Sequence, residues 1–239
     1  MIFNDPDLYP EYLTDWNLVW CPSWTAQAGP VARYDGKTDR GSNGNGRIDL
    51  GEITTEPYDY CGWMILEDRN VLGDNLLALV GSDGKVIGSP DQYGRFTEGQ
   101  MATGPFGELG LASFASHGAA SDADYNFAAT FPGTQANGGS TLYRLREGIE
   151  RFLVTDVNNP ASSAGSASRV PVLWDHVTAE VISFAHIPGG INVLYLDGHV
   201  EFLKYLGVAG SPFPATAAHA VSSGTYGHLF NGVGDPTAW

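Results

Sequence analysis

Hydrophobic and polar positions alternate most clearly near the end of the chain, in Ile191-Asn-Val-Leu-Tyr-Leu196 and His199-Val-Glu-Phe-Leu-Lys204. These runs flank Asp197-Gly198, the dipeptide that best tolerates the positive φ angles of a tight two-residue turn. The spacing predicts a β-hairpin over 191–204. Tyr195 lies opposite Val200 and Val193 opposite Phe202, which makes one apolar face across both strands. Asn192, Leu196, His199 and Glu201 form the other face, expected to be half exposed.

Upstream, the pattern predicts strands over Val170–Trp174, Val181–Ala185 and Tyr58–Leu66. A helical or turn segment over Asp5–Trp16 leads into a strand at Leu18–Cys21 that stops at Pro22. Val71–Val80 suits a short helix or a buried strand. The Gly/Ser/Ala-rich stretch 81–140 has room for short strands near Val86–Ile87 and Tyr125–Phe131. The clearest helix is Thr141–Phe152, where Leu142, Leu145, Ile149 and Phe152 recur at helical spacing behind Ser140 as N-cap; Gly148 weakens it. After the stop at Asn158-Asn159-Pro160 comes a Ser/Ala linker, 161–168, and a Gly/Ala/Pro-rich tail, 207–239, ends the chain. No internal repeat and no second domain is evident. Helices and long insertions before late strands imply one α+β domain over 1–239 with a mainly antiparallel sheet.

Composition narrows the function. A chain of 239 residues, 43% of them hydrophobic, can bury a substantial core. Its formal net charge of −15 argues against nucleic acid, whose phosphates demand a basic surface. The same charge disfavours anionic membrane surfaces and suits cation binding. No run of eighteen apolar residues occurs, and the opening Met1-Ile-Phe-Asn-Asp5 has neither a basic segment nor an apolar core.

A Gly/Asp/Asn-rich insertion, 29–57, holds the best cation-site candidate. With Ile48 at the hydrophobic eighth position of a twelve-residue EF-hand loop, Gly46 falls at the sharp-turn glycine. Asn43, Asn45, Asp49 and Glu52 then occupy ligand positions, and Arg47 offers its backbone carbonyl to Ca2+. Gly41, at position one, has no side chain, so Asp39 or Asp35 would have to reach in. The competing reading is a solvated Gly/Asn turn. His176 beside Asp175, with His186, Asp197 and His199, could converge as a metal-dependent hydrolase site. Asp197 already has a role in the turn, however, and His186 is more simply a hydrogen-bonding residue that pins the entry to the hairpin. No HExxH, Gly-x-Ser-x-Gly or phosphate-binding glycine loop is present, so no enzyme is expected. Trp20, Trp63 and Trp174 read as core. Trp16 and Trp24 are freer, which keeps an extracellular carbohydrate- or ligand-binding module open as an alternative.

Several blocks carry a resemblance. These are Tyr9-Pro-Glu-Tyr-Leu13, Val19-Trp-Cys-Pro-Ser23, Ser140–Phe152, Thr155–Pro160, Val170–Asp175, and the stretch from His186 through Gly189, Gly190, Asp197 and Gly198 to Lys204. In this order they resemble the pseudopilin-like, type IV pilin-related proteins marked by a C-terminal His, about ten residues, then Asp-Gly. One departure is that ten residues separate His186 from Asp197, against nine in the commonest form, because of the extra Pro188. The resemblance covers residues 5–23 and 140–204 well and the middle weakly. It implies a pilin-like globular head that is a non-enzymatic subunit of a type II secretion pseudopilus or a type IV-like surface filament. Its partners would be other pilin-like subunits. Its place would be the periplasm or cell surface, after inner-membrane anchoring through a hydrophobic N-terminal helix that this sequence does not contain. The exported setting favours a disulfide between Cys21 and Cys61, the chain's two cysteines, over two unrelated buried thiols.

Overall fold

The structure is a computed structural model. It describes residues 9–24, 28–35, 44–49, 52, 57–60, 62–68, 70, 123–126, 141–149, 167–177, 184–186, 189–205 and 211–220. Within them lie a 3-10 helix (Trp16–Val19), a one-turn α-helix α1 (Pro30–Tyr34) and six strands. The strands are β1 (Tyr58–Tyr60), β2 (Tyr125–Asn126), β3 (Thr141–Leu142), β4 (Pro171–Asp175), β5 (Gly190–Tyr195) and β6 (Val200–Lys204). Strands β1-β4-β5-β6 form a four-stranded antiparallel sheet in that order, and β2 pairs with β3 separately. Few helices and mainly antiparallel pairing agree with the α+β expectation at that coarse level.

Residues 191–204 do form a hairpin, but with a different register. Tyr195 N–H donates to the His199 carbonyl at 3.0 Å and Gly198 N–H to the Tyr195 carbonyl at 2.9 Å, so three residues, Leu196-Asp197-Gly198, make the turn. Gly198, at φ +90°, takes the left-handed position that a three-residue hairpin loop requires. Asp197 Oδ1 accepts the His199 backbone N–H at 3.1 Å and caps the loop from inside. The extra turn residue moves β6 by one place: Val193 pairs with Glu201 and Asn192 with Phe202. Because side chains alternate between faces, a one-place shift turns every β6 side chain over. Ile191, Val193, Tyr195 and Leu203 are buried on one face, while Val200 and Phe202 stand exposed on the other. Phe202 is not idle there. Its ring covers Gly190, where a Cβ would run into it.

Two other expectations are corrected. Thr141–Phe152 is not a helix where it is described: 141–142 is strand, and Arg144 makes an antiparallel bridge to Trp63. Backbone bonds from Met64 N to Tyr143 O and from Leu145 N to Gly62 O, both 2.8 Å, supply the partners a helix would otherwise supply. Gly148, at φ +74°, lies outside any right-handed helix. Leu142 and Ile149 are nonetheless fully buried, as their apolar character requires. Leu18–Cys21 begins as a 3-10 turn instead of a strand, because the Asp15 carboxylate caps Asn17 N–H at 2.9 Å. Of the expected strand Val181–Ala185, Phe184 and Ala185 are described and lie in no strand, while residues 181–183, the segment Val71–Val80, the strand near Val86–Ile87 and the tail beyond 220 lie outside the described residues.

The core is built on the buried face of β4-β5-β6. Trp174, Ile191, Val193, Tyr195 and Leu203 pack there with Val177, Phe184, Ala215 and Ala220. A smaller group of Cys21, Trp24 and Ala185, flanked by Trp20 and Tyr58, joins the N-terminal segment to the lead-in of β5. That junction positions the site.

Candidate functional site

Three segments distant in sequence converge where β4 ends and β5 begins. Cys21 follows the 3-10 helix, Asp175 is the last residue of β4, and His186 precedes β5. Their candidate ligand atoms all lie within 4.8 Å of one another. His186 Nε2 is 3.0 Å from Asp175 Oδ2 and 3.5 Å from Cys21 Sγ. Asn192, on β5, donates from its backbone N–H (2.7 Å) and its Nδ2 (2.8 Å) to the same Asp175 oxygen. Cys21 and Asp175 are 2% exposed, whereas the His186 side chain is 28% exposed, so the cluster opens to solvent along the imidazole.

Local structure accounts for each placement. The His186 carbonyl accepts N–H bonds from Gly189 (2.9 Å) and Gly190 (3.4 Å), a tight turn that points the chain into β5. Gly189, at φ +124°, makes this turn possible. The expected pinning role of His186 is therefore met by its backbone, while its ring reaches Asp175. Asp175 pairs with Tyr58 on β1, and the Tyr58 side chain packs beside Cys21.

Electrostatics follow from burial. Desolvation pushes the Cys21 thiol above its ordinary value, and the Asp175 carboxylate pushes the same way, against lowering hydrogen bonds from Ser23 and Trp24. The Tyr58 phenol is pushed up to about 12, first by burial and then by Cys21 and Asp175. The site thus holds two buried potential anions beside a partly exposed imidazole.

The disulfide expected from the cysteine pair is not formed at Cys21, whose buried thiol is free. Its neighbours are the imidazole and carboxylate just described, and Cys61 lies outside the described residues. The other histidines do not join. Adjacent strand positions face opposite ways, and His176 turns from Asp175 to Asp59, with Nδ1 3.0 Å from Oδ2. His199 stays at the turn, 2.6 Å from Asp197 and stacked on Tyr195. Trp24, Trp63 and Trp174 are buried, which removes them as sugar-stacking platforms. Trp24 packs on Cys21, contrary to its expected freedom.

In the Gly/Asn loop, Asp39 and Asn43 lie outside the described residues. Asp35 is the carboxylate that closes it, accepting from Asn45 N–H (3.2 Å) and Gly46 N–H (2.6 Å). Asn45 Nδ2 donates to Asp49 (2.7 Å), Arg47 N–H to Asn45 Oδ1 (2.8 Å) and Asp49 N–H to Glu52 (2.7 Å). Ile48 anchors the loop on Val19 and Tyr34. Among the described residues, Asp35, Asp49 and Glu52 do not gather as closely as the Cys21 group. Sequence reading singled out Asp175 and His186, missed Asn192, and gave Cys21 another role. The motif histidine was the signal that could have found the site. Searches of family models, curated proteins and solved structures give no match to this chain.

Proposed function

We propose that this chain is the solvent-facing head of a pilin-like filament subunit, working by assembly and not by catalysis. One observation carries the reading: the hairpin with the His186…Asp197-Gly198 signature forms one side of the described sheet. There Val200 and Phe202, 62% and 58% exposed, stand on a strand whose outer hydrogen-bonding edge meets no other described strand. Exposed apolar side chains on an open strand are a ready surface for another subunit. In this reading the head sits on an N-terminal hydrophobic helix, anchored in the inner membrane before assembly and packed in the filament core afterwards. The head then faces the periplasm or the cell exterior. The 35–52 loop binds Ca2+ through Asn45, Asp49 and Glu52, with Asp35 supplying the carboxylate missing at position one.

The test is assembly. The chain is expressed behind a hydrophobic pilin helix with its assembly machinery, and filaments are imaged for the native head and for Phe202→Glu. Native heads are expected in filaments, and Phe202→Glu is expected to lower filament number while the isolated head stays folded, its melting temperature lowered only by loss of the ring's cover on Gly190. Filaments that never contain the head, or that form equally well with Phe202→Glu, would overturn the reading.

A further inference from the structure

We propose that Cys21, Asp175 and His186 form a binding site for a single divalent transition-metal ion, with Zn2+ the best match. This is independent of the filament reading and of the calcium loop. The donor set is one thiol sulfur, one imidazole nitrogen and one carboxylate oxygen. That mixture suits Zn2+ or its congeners and not Ca2+ or Mg2+, which take oxygen.

Two of the three donor separations are close to those of a tetrahedral edge, and the third is within 4.8 Å. At ordinary zinc bond lengths and tetrahedral angles, nitrogen and sulfur ligands stand about 3.5 Å apart, and nitrogen and oxygen ligands about 3.3 Å. The observed separations are 3.5 Å for Cys21 Sγ to His186 Nε2 and 3.0 Å for His186 Nε2 to Asp175 Oδ2. Small movements would seat an ion. Three protein donors leave a fourth position for water, and the 28% exposed His186 side chain gives solvent access to the group. Asn192 supplies the outer support such centres need: its two N–H donors on Asp175 Oδ2 fix the carboxylate, and the 3.4 Å contact of its Nδ2 with His186 Nε2 is one that a bound ion would displace.

A nucleophilic cysteine reading fits less well. In a Cys-His-acid arrangement the acid orients one ring nitrogen while the other takes the thiol proton. Here sulfur and carboxylate address the same Nε2. Two potential anions and one imidazole nitrogen converging on one spot are complementary to a cation once the ring carries its proton on Nδ1.

The experiment uses the full chain stripped of metal with chelator and titrated with Co2+, an optically active stand-in for Zn2+. The expected result is one equivalent bound, with thiolate-to-cobalt charge-transfer absorption and the visible bands of a four-coordinate ion, displaced by one equivalent of Zn2+. Cys61→Ser should keep the charge-transfer band and Cys21→Ser should lose it. Asn192→Ala should weaken binding by about 10- to 100-fold, as loss of an outer-shell partner does. Millimolar Ca2+ should leave the spectrum unchanged. If Cys21→Ser does not fold, the Cys61→Ser spectrum decides alone, since Cys21 is then the only thiol. No uptake of Co2+, uptake without charge transfer, or a band that Cys61→Ser removes would each overturn the proposal.

Discussion

Acidification should strip stability from this fold through His219. The residue is buried behind Trp174, whose Nε1 donates to His219 Nε2 at 3.1 Å, and the Trp174 and Phe213 rings pack edge-on against it. Burial holds its pKa down to about 4; Asp59 opposes that shift and His176 adds to it. In the unfolded chain the ordinary value of 6.5 returns. Below pH 6.5, therefore, the unfolded state binds a proton that the folded state refuses, and unfolding becomes easier as pH falls. The loss is about 1.4 kcal/mol per pH unit and stops near pH 4, where the folded state protonates too. Across that window it reaches about 3 kcal/mol, a large part of the stability of an ordinary domain.

A single acid titration of the native protein would not isolate this effect. Burial pushes Asp68 up to about 6, against a hydrogen bond from the Thr216 hydroxyl at 2.7 Å. A raised carboxyl favours the folded state as pH drops through 6 towards 3.8, so it offsets His219 over nearly the same range. The decisive quantity is a difference. Urea unfolding of the native protein and of His219→Gln, whose amide oxygen can still accept from Trp174, is measured at steps from pH 7.5 to 4. Asp68 is common to both and cancels. The gap between the two curves should be flat above pH 6.5 and then shift by about 3 kcal/mol in favour of the glutamine variant by pH 4. Parallel curves throughout would show that His219 protonates in the folded state at its ordinary pKa, and would refute the reasoning.

Three further outcomes are expected. Gly62→Ala should cost about 1–2 kcal/mol for a left-handed residue at φ +71° and a further ~1 kcal/mol for displacing the Arg144 guanidinium from the Gly62 carbonyl. A loss below about 0.5 kcal/mol by urea unfolding would contradict this. Millimolar Ca2+ should raise the melting temperature over chelator-treated protein, with Kd near ~10⁻⁴ M by calorimetry and no binding in Asp35→Asn; identical melting with and without the ion would count against the loop. Asp124 holds Arg146 through two contacts of 2.6 and 2.8 Å and sits below its ordinary pKa, chiefly through that bond. Its small contribution should be present at neutral pH, fall away as pH drops through the lowered pKa, and shrink in high salt; a salt-independent effect of Asp124→Asn would point to a different role.

The sheet was legible in the sequence where local signals and tertiary contacts agree. Alternation on both sides of Asp197-Gly198 marks the hairpin, and the apolar run from Val170 marks β4. The hairpin register was not legible, because Asp-Gly serves a two-residue turn and a three-residue loop equally well. The choice fell to Gly198 alone in the left-handed region, with the Asp197 carboxylate on His199 N–H. The helix expected over Thr141–Phe152 failed for a related reason. Leu142, Leu145 and Ile149 do turn inward, but the strand-like edge at Gly62–Met64 offers hydrogen bonds that a single-segment pattern cannot foresee.

The site was half legible. His186 stood out through its place before the hairpin, and Asp175 stood out only as the neighbour of His176. Strand alternation separates that pair: once 171–175 is a strand, Asp175 and His176 leave on opposite sides and cannot serve one ion together. Asp175 therefore needed a partner from the next strand or its lead-in, and the antiparallel pairing of Trp174 with Val193 brings Asn192 and His186 there. Cys21 was beyond reach of this logic. It lies 165 residues before His186, and the chain's two cysteines invite pairing with each other. Only the packing of Trp24 and Ala185 around the thiol fixes it beside the imidazole, so the third donor belongs to the tertiary structure and not to any motif.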